Sequence, residues 1–307
     1  MPFPPDRVIV DFVDLGLPEV VVLGHYNYRE AQPPLQAHRH EDIFEICFLE
    51  RGFQRYMVNS IFYDLTSGDL FITKPGEIHG TGGEPENKGH LYWLEFQCVR
   101  AGQSFLGLNS QESEGLMDRF RSLSFRHFPN SDVLAPTLKR LFFAHSDIHN
   151  PLRAANVKNL LLRYVLDVIE IAENRVERRY SIGVQRAIRG IEQNQWDLPD
   201  IKQLAKEAGM SESYFKRAFK KETGIPPGEY AMKRRIDQAK TMLSASGCPI
   251  TRIAMDLGFA TSQHFSTAFK RLTGLPPQAY RNRSLRPPSA PPPLIGAGPD
   301  FFPSGDF

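Results

Sequence analysis

The chain carries one pattern twice in its last third. Residues 201–230 and 250–280 share their apolar, glycine and proline positions, and matching pairs lie 49 residues apart before an internal turn and 50 apart after it. One residue has therefore been inserted at that turn. Each copy has the pattern of a helix-turn-helix, and two copies in one chain predict a reader of two DNA grooves. The shared positions are Ile201 and Ile250, Ala205 and Ala254, Gly209 and Gly258, Phe215 and Phe265, Phe219 and Phe269, Thr223 and Thr273, Gly224 and Gly274, Pro227 and Pro277, and Tyr230 and Tyr280.

Local signals in the second copy predict both of its helices. Apolar spacing predicts a first helix over 250–257, and Gly258 supplies the left-handed residue that a tight turn between helices needs. Thr261 or Ser262 is suited to cap the second helix, and Gly274 followed by two prolines ends it.

The first copy follows the same plan, and a long helix joins the two. Helices are predicted over 200–207 and 212–222, on either side of Gly209. The joining helix, predicted over 229–246, has roughly 18 residues and a length of about 27 Å. That length is near the roughly 34 Å repeat of DNA, so recognition helices at its two ends are expected to reach successive major grooves.

These residues resemble the AraC/XylS family of bacterial transcription regulators over about 184–284. The strongest match is the stretch GFATSQHFSTAFKRLTGLPPQAYR, which has the glycine turn, Phe-x-x-x-Phe-Lys helix and Pro-x-x-Tyr-Arg ending of that family. The resemblance implies a sequence-specific DNA-binding regulator whose partner is double-stranded DNA. By position it places Ser211, Ser213, Tyr214, Lys216, Arg217 and Lys220 on the DNA-facing side of the first recognition helix, and Thr261, Ser262, Gln263, His264, Ser266, Thr267 and Lys270 on that of the second.

The chemistry of these side chains divides them into base readers and phosphate contacts. Arg217 suits bidentate contact with guanine and Gln263 suits adenine. The lysines are expected to contact phosphates, as is Arg271, and such contacts raise affinity without reading sequence. Thr267 stands where family members often have an arginine, so we expect the second helix either to read bases more weakly or to depend on Gln263 and His264 for its readout.

The distribution of charge agrees with a DNA-binding rear part. Residues 183–286 hold 18 Lys and Arg against 9 Asp and Glu, whereas residues 1–182 hold 19 against 24 and the tail 287–307 has two Asp. A basic C-terminal part behind an acidic N-terminal part suggests that only the C-terminal part binds a polyanion. With no long apolar run or signal peptide in the sequence, we expect a cytoplasmic protein without membrane contact.

Residues 8–100 read mostly as short strands rich in β-branched and aromatic residues, and helical spacing begins near residue 111. The predicted class is α+β, with an N-terminal cupin-like β-barrel plus helices and an all-α double helix-turn-helix domain. We predict an effector-sensing domain over 1–110, a helical dimerisation or linker region over 111–182, a DNA-binding domain over 183–284 and a disordered Pro-rich tail over 285–307. The long helix near 154–179 is so broadly apolar that it belongs either to a core or to a subunit interface.

The front domain carries a spaced set of metal-ligating residues. His38 and His40 lie two apart on a predicted strand, which points both to one face, and Glu45 and His79 follow. This pattern resembles the two motifs of the cupin superfamily over about 30–85, although the glycine before the first motif and the asparagine closing the second are missing. In metal cupins these four side chains bind one divalent ion. The resemblance therefore implies an effector pocket at His38, His40, Glu45 and His79, with Fe, Mn, Ni or Zn as a tentative cofactor, or the same residues used only for hydrogen bonds. Trp93 is a further effector-binding candidate, by stacking on a sugar ring, with packing in the core as the alternative role.

The leading hypothesis is a one-component regulator, and not an enzyme, controlled by a small molecule. By resemblance the effector is a mono- or disaccharide or sugar acid, the active form is a homodimer, and RNA polymerase is a partner if the protein activates transcription. The alternatives are a metal-dependent cupin enzyme fused to a DNA-binding domain, or a sensor for which the metal is the signal. No nucleophile triad or Gly-rich phosphate loop supports other catalytic chemistry.

Overall fold

The structure is a computed structural model that describes residues 6–129, 131–174, 180–193, 200–245 and 247–284. The predicted disordered tail, 285–307, lies outside the described residues. An N-terminal sheet domain with three helices precedes an all-helical C-terminal domain, which confirms the predicted α+β class. The strands are β1 (Arg7–Val10), β2 (Val20–Tyr28), β3 (Ile43–Val58), β4 (Ile61–Thr66), β5 (Asp69–Thr73), β6 (His79–Gly80), β7 (Gly89–Gln97) and β8 (His127–Phe128), and a 3-10 turn covers Val13–Leu15.

The strands form one antiparallel sheet in the order β1-β2-β7-β3-β5-β8, with β4 and β6 paired to the far half of β3. A glycine between two strand-like stretches reads from the sequence as a separator, but Gly52 does not end β3. Instead Gly52, with a φ of 113°, lies next to a register shift and lets the strand continue through a bend. Asn59 and Ser60, both with positive φ, make the two-residue turn into β4.

The sheet buries a different apolar cluster on each face. Cys47 and Leu49 from the first half of β3 share one cluster with Tyr56 and Val58 from its second half, so the bent strand wraps around this cluster. We call this face of the sheet, around which β3 bends, the interior. Phe48 and the other alternate residues of β3 point the opposite way, toward the helices.

Three helices cover the outer face of the sheet: α1 (Ser110–Ser122), α2 (Leu134–Ser146) and α3 (Arg153–Glu173). The apolar stripe of α3, which includes Tyr164 and Val168, is buried in one core with the sheet and α2. The breadth of that stripe is therefore explained by packing within the chain. Leu166, on the other side of α3, is 40% exposed.

The C-terminal domain contains α4 (Ile182–Gln193), α5 (Ile201–Glu207), α6 (Glu212–Thr223), α7 (Pro227–Ala245), α8 (Ile250–Asp256), α9 (Ser262–Thr273) and α10 (Pro277–Ser284). Five of these were predicted. Helix α4 was missed, and so was α10, because the prolines near its start read as a stop signal. Pro277 is instead the first residue of α10, where proline is well tolerated because its missing N–H has no partner to lose.

The repeat in the sequence becomes a repeat in the packing. The rings of Phe215 and Phe219 lie 5.6 Å apart at 60°, and those of Phe265 and Phe269 lie 5.5 Å apart at 57°. In each copy a tyrosine then meets the second phenylalanine edge-on, at 5.5 and 5.4 Å. Met210 and Phe259 donate equivalent backbone hydrogen bonds to the carbonyls of Ala205 and Ala254, so the two copies still correspond at these residues. The inserted residue is therefore the next one, Ala260, and it is exposed.

The two domains meet along α7 and the C-terminal ends of α6 and α9. Ser67 Oγ donates a 3.1 Å hydrogen bond to the carbonyl of Gly224, which ends α6. Lys88 Nζ lies 2.7 Å from a carboxylate oxygen of Glu229 on α7. Among the described residues, no helix is both long enough and apolar enough to cross a membrane.

Candidate functional site

The four predicted metal-ligating side chains come together at the rim of the interior. Glu45 lies on β3 and His79 on β6, but His38 and His40 do not lie on a strand. They belong to the irregular segment before β3, where His38 forms an isolated bridge with His79 through two backbone hydrogen bonds of 2.9 Å. The prediction of a strand was therefore wrong. The backbone pairing to His79, rather than strand alternation, brings these histidines to one site.

The ligand atoms of His38, His40, Glu45 and His79 all lie within 4.8 Å of one another. Ligands about 2.1 Å from a shared ion lie at most about 4.2 Å apart, so this spacing is close to that of a bound divalent ion. His79 Nε2 and Glu45 Oε2 are 2.8 Å apart, an ion-pair distance, yet both lack the alignment of a hydrogen bond. Both nitrogens of the His40 ring are buried and also have no hydrogen-bond partner among the described residues.

The electrostatics of the site favour metal-binding protonation states for two of its histidines. Burial lowers the pKa of His40 to about 4 and also lowers the pKa of His38, so both are neutral at neutral pH. A neutral imidazole has the free lone pair that binds a metal ion. Burial opposes ionisation of Glu45, but the neighbouring His79 outweighs it and lowers the pKa of this carboxyl, while Glu45 raises the pKa of His79 against the effect of burial.

Backbone carbonyls orient two of the rings. His38 Nδ1 lies 2.9 Å from the carbonyl of Gln36, and His79 Nδ1 lies 3.0 Å from that of Glu77. A ring that donates Nδ1–H to a carbonyl presents Nε2 as its acceptor, which is the usual support of a metal-ligating histidine. The residues present therefore fit one divalent ion, held by three imidazoles and one carboxylate.

Trp93 lies on β7 and points into the interior, whereas Tyr92 points toward the helices. The indole packs directly on Gly24, where an added Cβ would lie 2.1 Å from a ring atom. The guanidinium carbon of Arg7 sits 4.8 Å from the indole centre. Trp93 thus lines the interior, and the Arg7 guanidinium already covers one face of its indole. A sugar ring would have to stack on the face that Arg7 leaves open.

Sequence reasoning missed three charged residues of the interior: Arg7, Glu86 and Glu95. Glu95 lies directly opposite Glu45 in the β3–β7 pairing, and burial, with the charge of Glu45, raises its pKa to about 8. Arg7 Nη1 lies 3.5 Å from a carboxylate oxygen of Glu86. The available signal was the position of Glu95 in β7, since it falls on the same face as the buried Leu91 and Trp93. Glu77, two residues before His79, is paired with Arg126 at 2.6 Å.

The first recognition helix, α6, presents its predicted DNA-facing residues to solvent. Ser211 is the N-cap of α6 and accepts a 3.4 Å hydrogen bond from the backbone N–H of Tyr214. Lys216 is tied to Glu212 at 2.5 Å. Arg217 is exposed and makes no hydrogen bond or ion pair with any residue that the structure describes. The remaining members of the predicted set, Ser213, Tyr214 and Lys220, are exposed as well.

The second recognition helix, α9, has the same arrangement. Thr261 is its N-cap and accepts from the backbone N–H of His264 at 3.0 Å, so Ser262 becomes the first helical residue. The His264 ring packs edge-on against Phe259, with centroids 5.6 Å apart. Gln263, Thr267 and Lys270 are exposed, and Ser262 and Ser266 are half-buried. In both copies the cap hydroxyl is therefore engaged within the protein.

A cleft of about 280 Å³ lies between the domains, away from the histidine site. Many cationic side chains line it, but most of them are paired. Arg55 pairs with Asp64, Lys88 with Glu229 and Lys240 with Glu84, at 2.5 to 2.7 Å. The interior, where both ring nitrogens of His40 have no partner among the described residues, is therefore the stronger candidate for a ligand site.

Comparison with known families assigns both parts of the chain. Residues 25–155 match the model of an AraC-like ligand binding domain, and residues 204–283 match that of a helix-turn-helix domain. The chain is a transcriptional regulator of the AraC family. The predicted family is thereby confirmed, as is the prediction that the protein is a regulator rather than an enzyme, since the curated relatives of this AraC-family chain are named as regulators.

Individual relatives are distant but span most of this AraC-family chain. An HTH-type transcriptional regulator of Haemophilus influenzae is 26% identical and covers 83% of this chain and 93% of its own length. The arabinose operon regulatory protein of Escherichia coli is 27% identical, covering 62% and 64% respectively. Among solved structures, the C-terminal domain of AraT from Geobacillus stearothermophilus is 30% identical and covers 36% of this chain and 93% of its own, with a TM-score of 0.34.

Proposed function

We propose that this AraC-family regulator binds a small polar effector in the interior of its sheet domain, next to a divalent metal ion held by His38, His40, Glu45 and His79. The observation that carries the proposal is the convergence of four ligand atoms within 4.8 Å, three of whose residues are buried. Burying both nitrogens of the His40 ring without a hydrogen-bond partner among the described residues is costly, which favours a bound species that satisfies one of them. Fe, Mn, Ni and Zn all accept imidazole and carboxylate ligands.

The proposed effector is a saccharide or a sugar derivative. A metal ion at this site would supply a Lewis acid for a hydroxyl or carboxylate of the effector. Glu95 and Arg7 offer acceptors and donors for other polar groups, and Trp93 offers an apolar wall, which together suit a polyol. A relative named for the arabinose operon is consistent with this class of ligand.

On DNA, we propose that α6 and α9 enter successive major grooves, with Arg217 and Gln263 reading bases. Both side chains are exposed and make no polar contact with other described residues, so neither needs to leave a partner before binding. The exposed lysines of both helices would contact phosphates. The cytoplasm, where such a DNA partner lies, is the proposed location. If the protein activates transcription, RNA polymerase is its further partner.

The proposed active form is a homodimer that uses the helices of the sheet domain. Phe143 near the end of α2 is 74% exposed, and Ile148 and Leu152, between α2 and α3, are 69% and 62% exposed. Apolar side chains clustered on a surface in this way favour an interface, and a second copy is the commonest partner for such a patch. Light scattering of the wild type and of Phe143→Ser tests this; a monomeric wild type at micromolar concentration contradicts it.

The metal part of the proposal is tested with Co²⁺, whose visible absorption reports imidazole and carboxylate ligation. We expect one equivalent of Co²⁺ to bind the full-length protein, and His79→Ala to abolish binding. His149→Ala, which removes an exposed histidine outside the site, is the matched control and should bind as the wild type does. Equal binding by both variants would contradict the assignment of the ligands.

The effector part is tested by thermal shift of the metal-loaded protein against saccharides and sugar acids. A sugar that raises the Tm of the wild type, but not of Glu95→Ala, supports the proposed pocket. A second candidate function treats the metal as the signal, and the pre-arranged ligand set favours it. Chelator-sensitive DNA binding that no saccharide alters further would select that alternative, and a further change of the Kd on adding a sugar would exclude it.

A further inference from the structure

One short segment connects the histidine site to the DNA-binding domain. This linking segment, residues 79–86, begins at the site ligand His79 and ends at Glu86, which faces Arg7 in the interior. Its middle residues contact the C-terminal domain. Glu84 lies 2.5 Å from Lys240 on α7, and the carbonyl of Gly83 accepts a 2.7 Å hydrogen bond from Arg283 on α10.

The ion pair of the linking segment is largely buried, and it lies on the part of α7 that packs in one core with the second repeat. The side chains of Lys240 and Glu84 are each only 14% exposed, whereas the other interdomain pair, Lys88 and Glu229, is 47% and 26% exposed. Pro85 packs toward Gly274, the residue that ends α9, at 3.8 Å from the position of an added Cβ. A change in this segment therefore reaches the end of the second recognition helix directly.

The linking segment is stiff enough to carry a displacement. Gly82 and Gly83 have φ values of 63° and 81° and form a tight turn, which the backbone N–H of Glu84 closes by a 3.0 Å hydrogen bond to Thr81. The Thr81 hydroxyl also donates to the carbonyl of Glu84. An added Cβ at Gly82 would lie 2.5 Å from the ring of Phe62, so the turn has no free space on that side.

At its other end the segment is fixed to a second site ligand. The backbone groups of His79 are paired with those of His38, so an ion that draws the two imidazoles together acts on the start of the segment. A shift of His79 is passed on to Glu84, because the turn between these two residues is held by hydrogen bonds and absorbs little movement. A ligand changes a conformation only through its differential contacts with the two states, and His79 is the contact concerned.

We propose that the linking segment transmits occupancy of the histidine site to the second helix-turn-helix, through the Glu84–Lys240 ion pair. This inference rests on the proposed function, because it assumes that the site is filled. It assigns the ion pair a coupling role in addition to holding the domains together. The first repeat contacts the sheet domain elsewhere, at Ser67 and Lys88, so occupancy acts unequally on the two recognition helices.

The test separates occupancy from its effect on DNA. Co²⁺ alone is titrated into full-length protein, with visible absorption as the measure of binding. A DNA duplex selected by the wild-type protein from a random library is then used to measure the Kd by fluorescence anisotropy, with and without Co²⁺. For the wild type we expect Co²⁺ to change the Kd about fivefold or more, within the usual range of coupling between sites.

Glu84→Gln and Lys240→Gln remove the pair with little change of shape. We expect both variants to bind Co²⁺ as the wild type does, while the effect of Co²⁺ on the Kd falls to less than about twofold. The double variant should show no further loss, as for two residues acting through one contact. Glu229→Gln, which breaks the other interdomain pair, is the matched control and should keep the full effect.

Each outcome separates this inference from the function on which it rests. If Co²⁺ binds and changes the Kd equally in the wild type and in the Glu84 and Lys240 variants, the coupling role is wrong and the proposed function stands. If Co²⁺ binds the wild type without changing the Kd, the inference is again wrong. If Co²⁺ does not bind the wild type, the proposed metal site fails and the inference fails with it.

Discussion

The two helix-turn-helix copies have nearly identical interiors and different surroundings. Their phenylalanine pairs and following tyrosines agree in ring distance to within about 0.1 Å, yet α6 ends against backbone of the sheet domain while α9 ends near the single side chain of Pro85. Packing therefore defines what the copies share, and contacts outside the repeat define how they differ. Two copies that keep the same apolar core can still differ at their surfaces.

The largest expected effect concerns what the copies share. Phe219→Ala and Phe269→Ala each remove a fully buried ring, and we expect each to lower the free energy of unfolding by about 3–5 kcal/mol. Urea unfolding of the full chain, followed by far-ultraviolet circular dichroism, measures both. The corresponding leucine variants are the controls and should lose less. A difference above about 2 kcal/mol between the alanine variants would show that the two cores are not equivalent.

The next effect should separate the copies. Gly224 and Gly274 both end recognition helices with positive φ, at 84° and 71°, so alanine at either site costs about 1–2 kcal/mol of backbone strain. At Gly224 an added Cβ would also lie 2.5 Å from the backbone nitrogen of Ser67, whereas at Gly274 nothing is nearer than 3.8 Å. Gly224→Ala should therefore lower the Tm of the full chain more than Gly274→Ala does. Equal losses would mean that the docking of α6 on the sheet domain contributes little.

On DNA, the copies should differ in the base contacts they supply. Arg217→Ala is expected to lose about 1–3 kcal/mol of discrimination at one base pair, and Gln263→Ala to lose less. Affinities for a set of operators that carry every single-base change measure both effects. Lys220→Ala is the control, because loss of an exposed phosphate contact should weaken binding to all operators evenly and reduce the salt dependence. If Arg217→Ala instead lowers the affinity for every operator equally, α6 binds phosphates and does not read bases.

The smallest effect concerns the helix caps. The Thr261 cap bond is 3.0 Å long and the Ser211 cap bond is 3.4 Å long. Thr261→Ala should lower the free energy of unfolding by about 1 kcal/mol, and Ser211→Ala by less, since the longer bond is weaker. Chemical denaturation of both variants, with Thr261→Ser as the conservative control, ranks the two caps. A larger loss at Ser211 would contradict this ranking.

The sequence predicted the repeat and most helices because their signals are local. Glycine after a helix, a hydroxyl before one and apolar spacing of three and four act within a few residues. The same reasoning failed at Pro277, where proline reads as an end but starts α10, and at Gly52, where glycine permits a bend inside one strand. In both places the residue has two compatible structures, and long-range packing selects between them.

The four residues of the histidine site were predicted from the sequence, but the strand pairings that surround them were not. The spacing of His38, His40, Glu45 and His79 resembled a known motif, so the set could be named from the sequence. The pairing of Glu95 opposite Glu45, and the approach of Arg7 to Trp93, depend on which strands are neighbours in the sheet. Those pairings join residues about 50 or more positions apart, and no local pattern encodes them.

The position of Ala260 has a consequence for how this repeat can change. Because the inserted residue precedes the cap threonine, the segments from Ser211 to Gly224 and from Thr261 to Gly274 have the same length and the same two ends. Each begins with a hydroxyl cap and closes on a left-handed glycine. Recombination within the gene could therefore exchange the two recognition helices without changing the length of the segment or the caps at its two ends. New operator preferences would then arise by shuffling, with point mutation needed only to refine them.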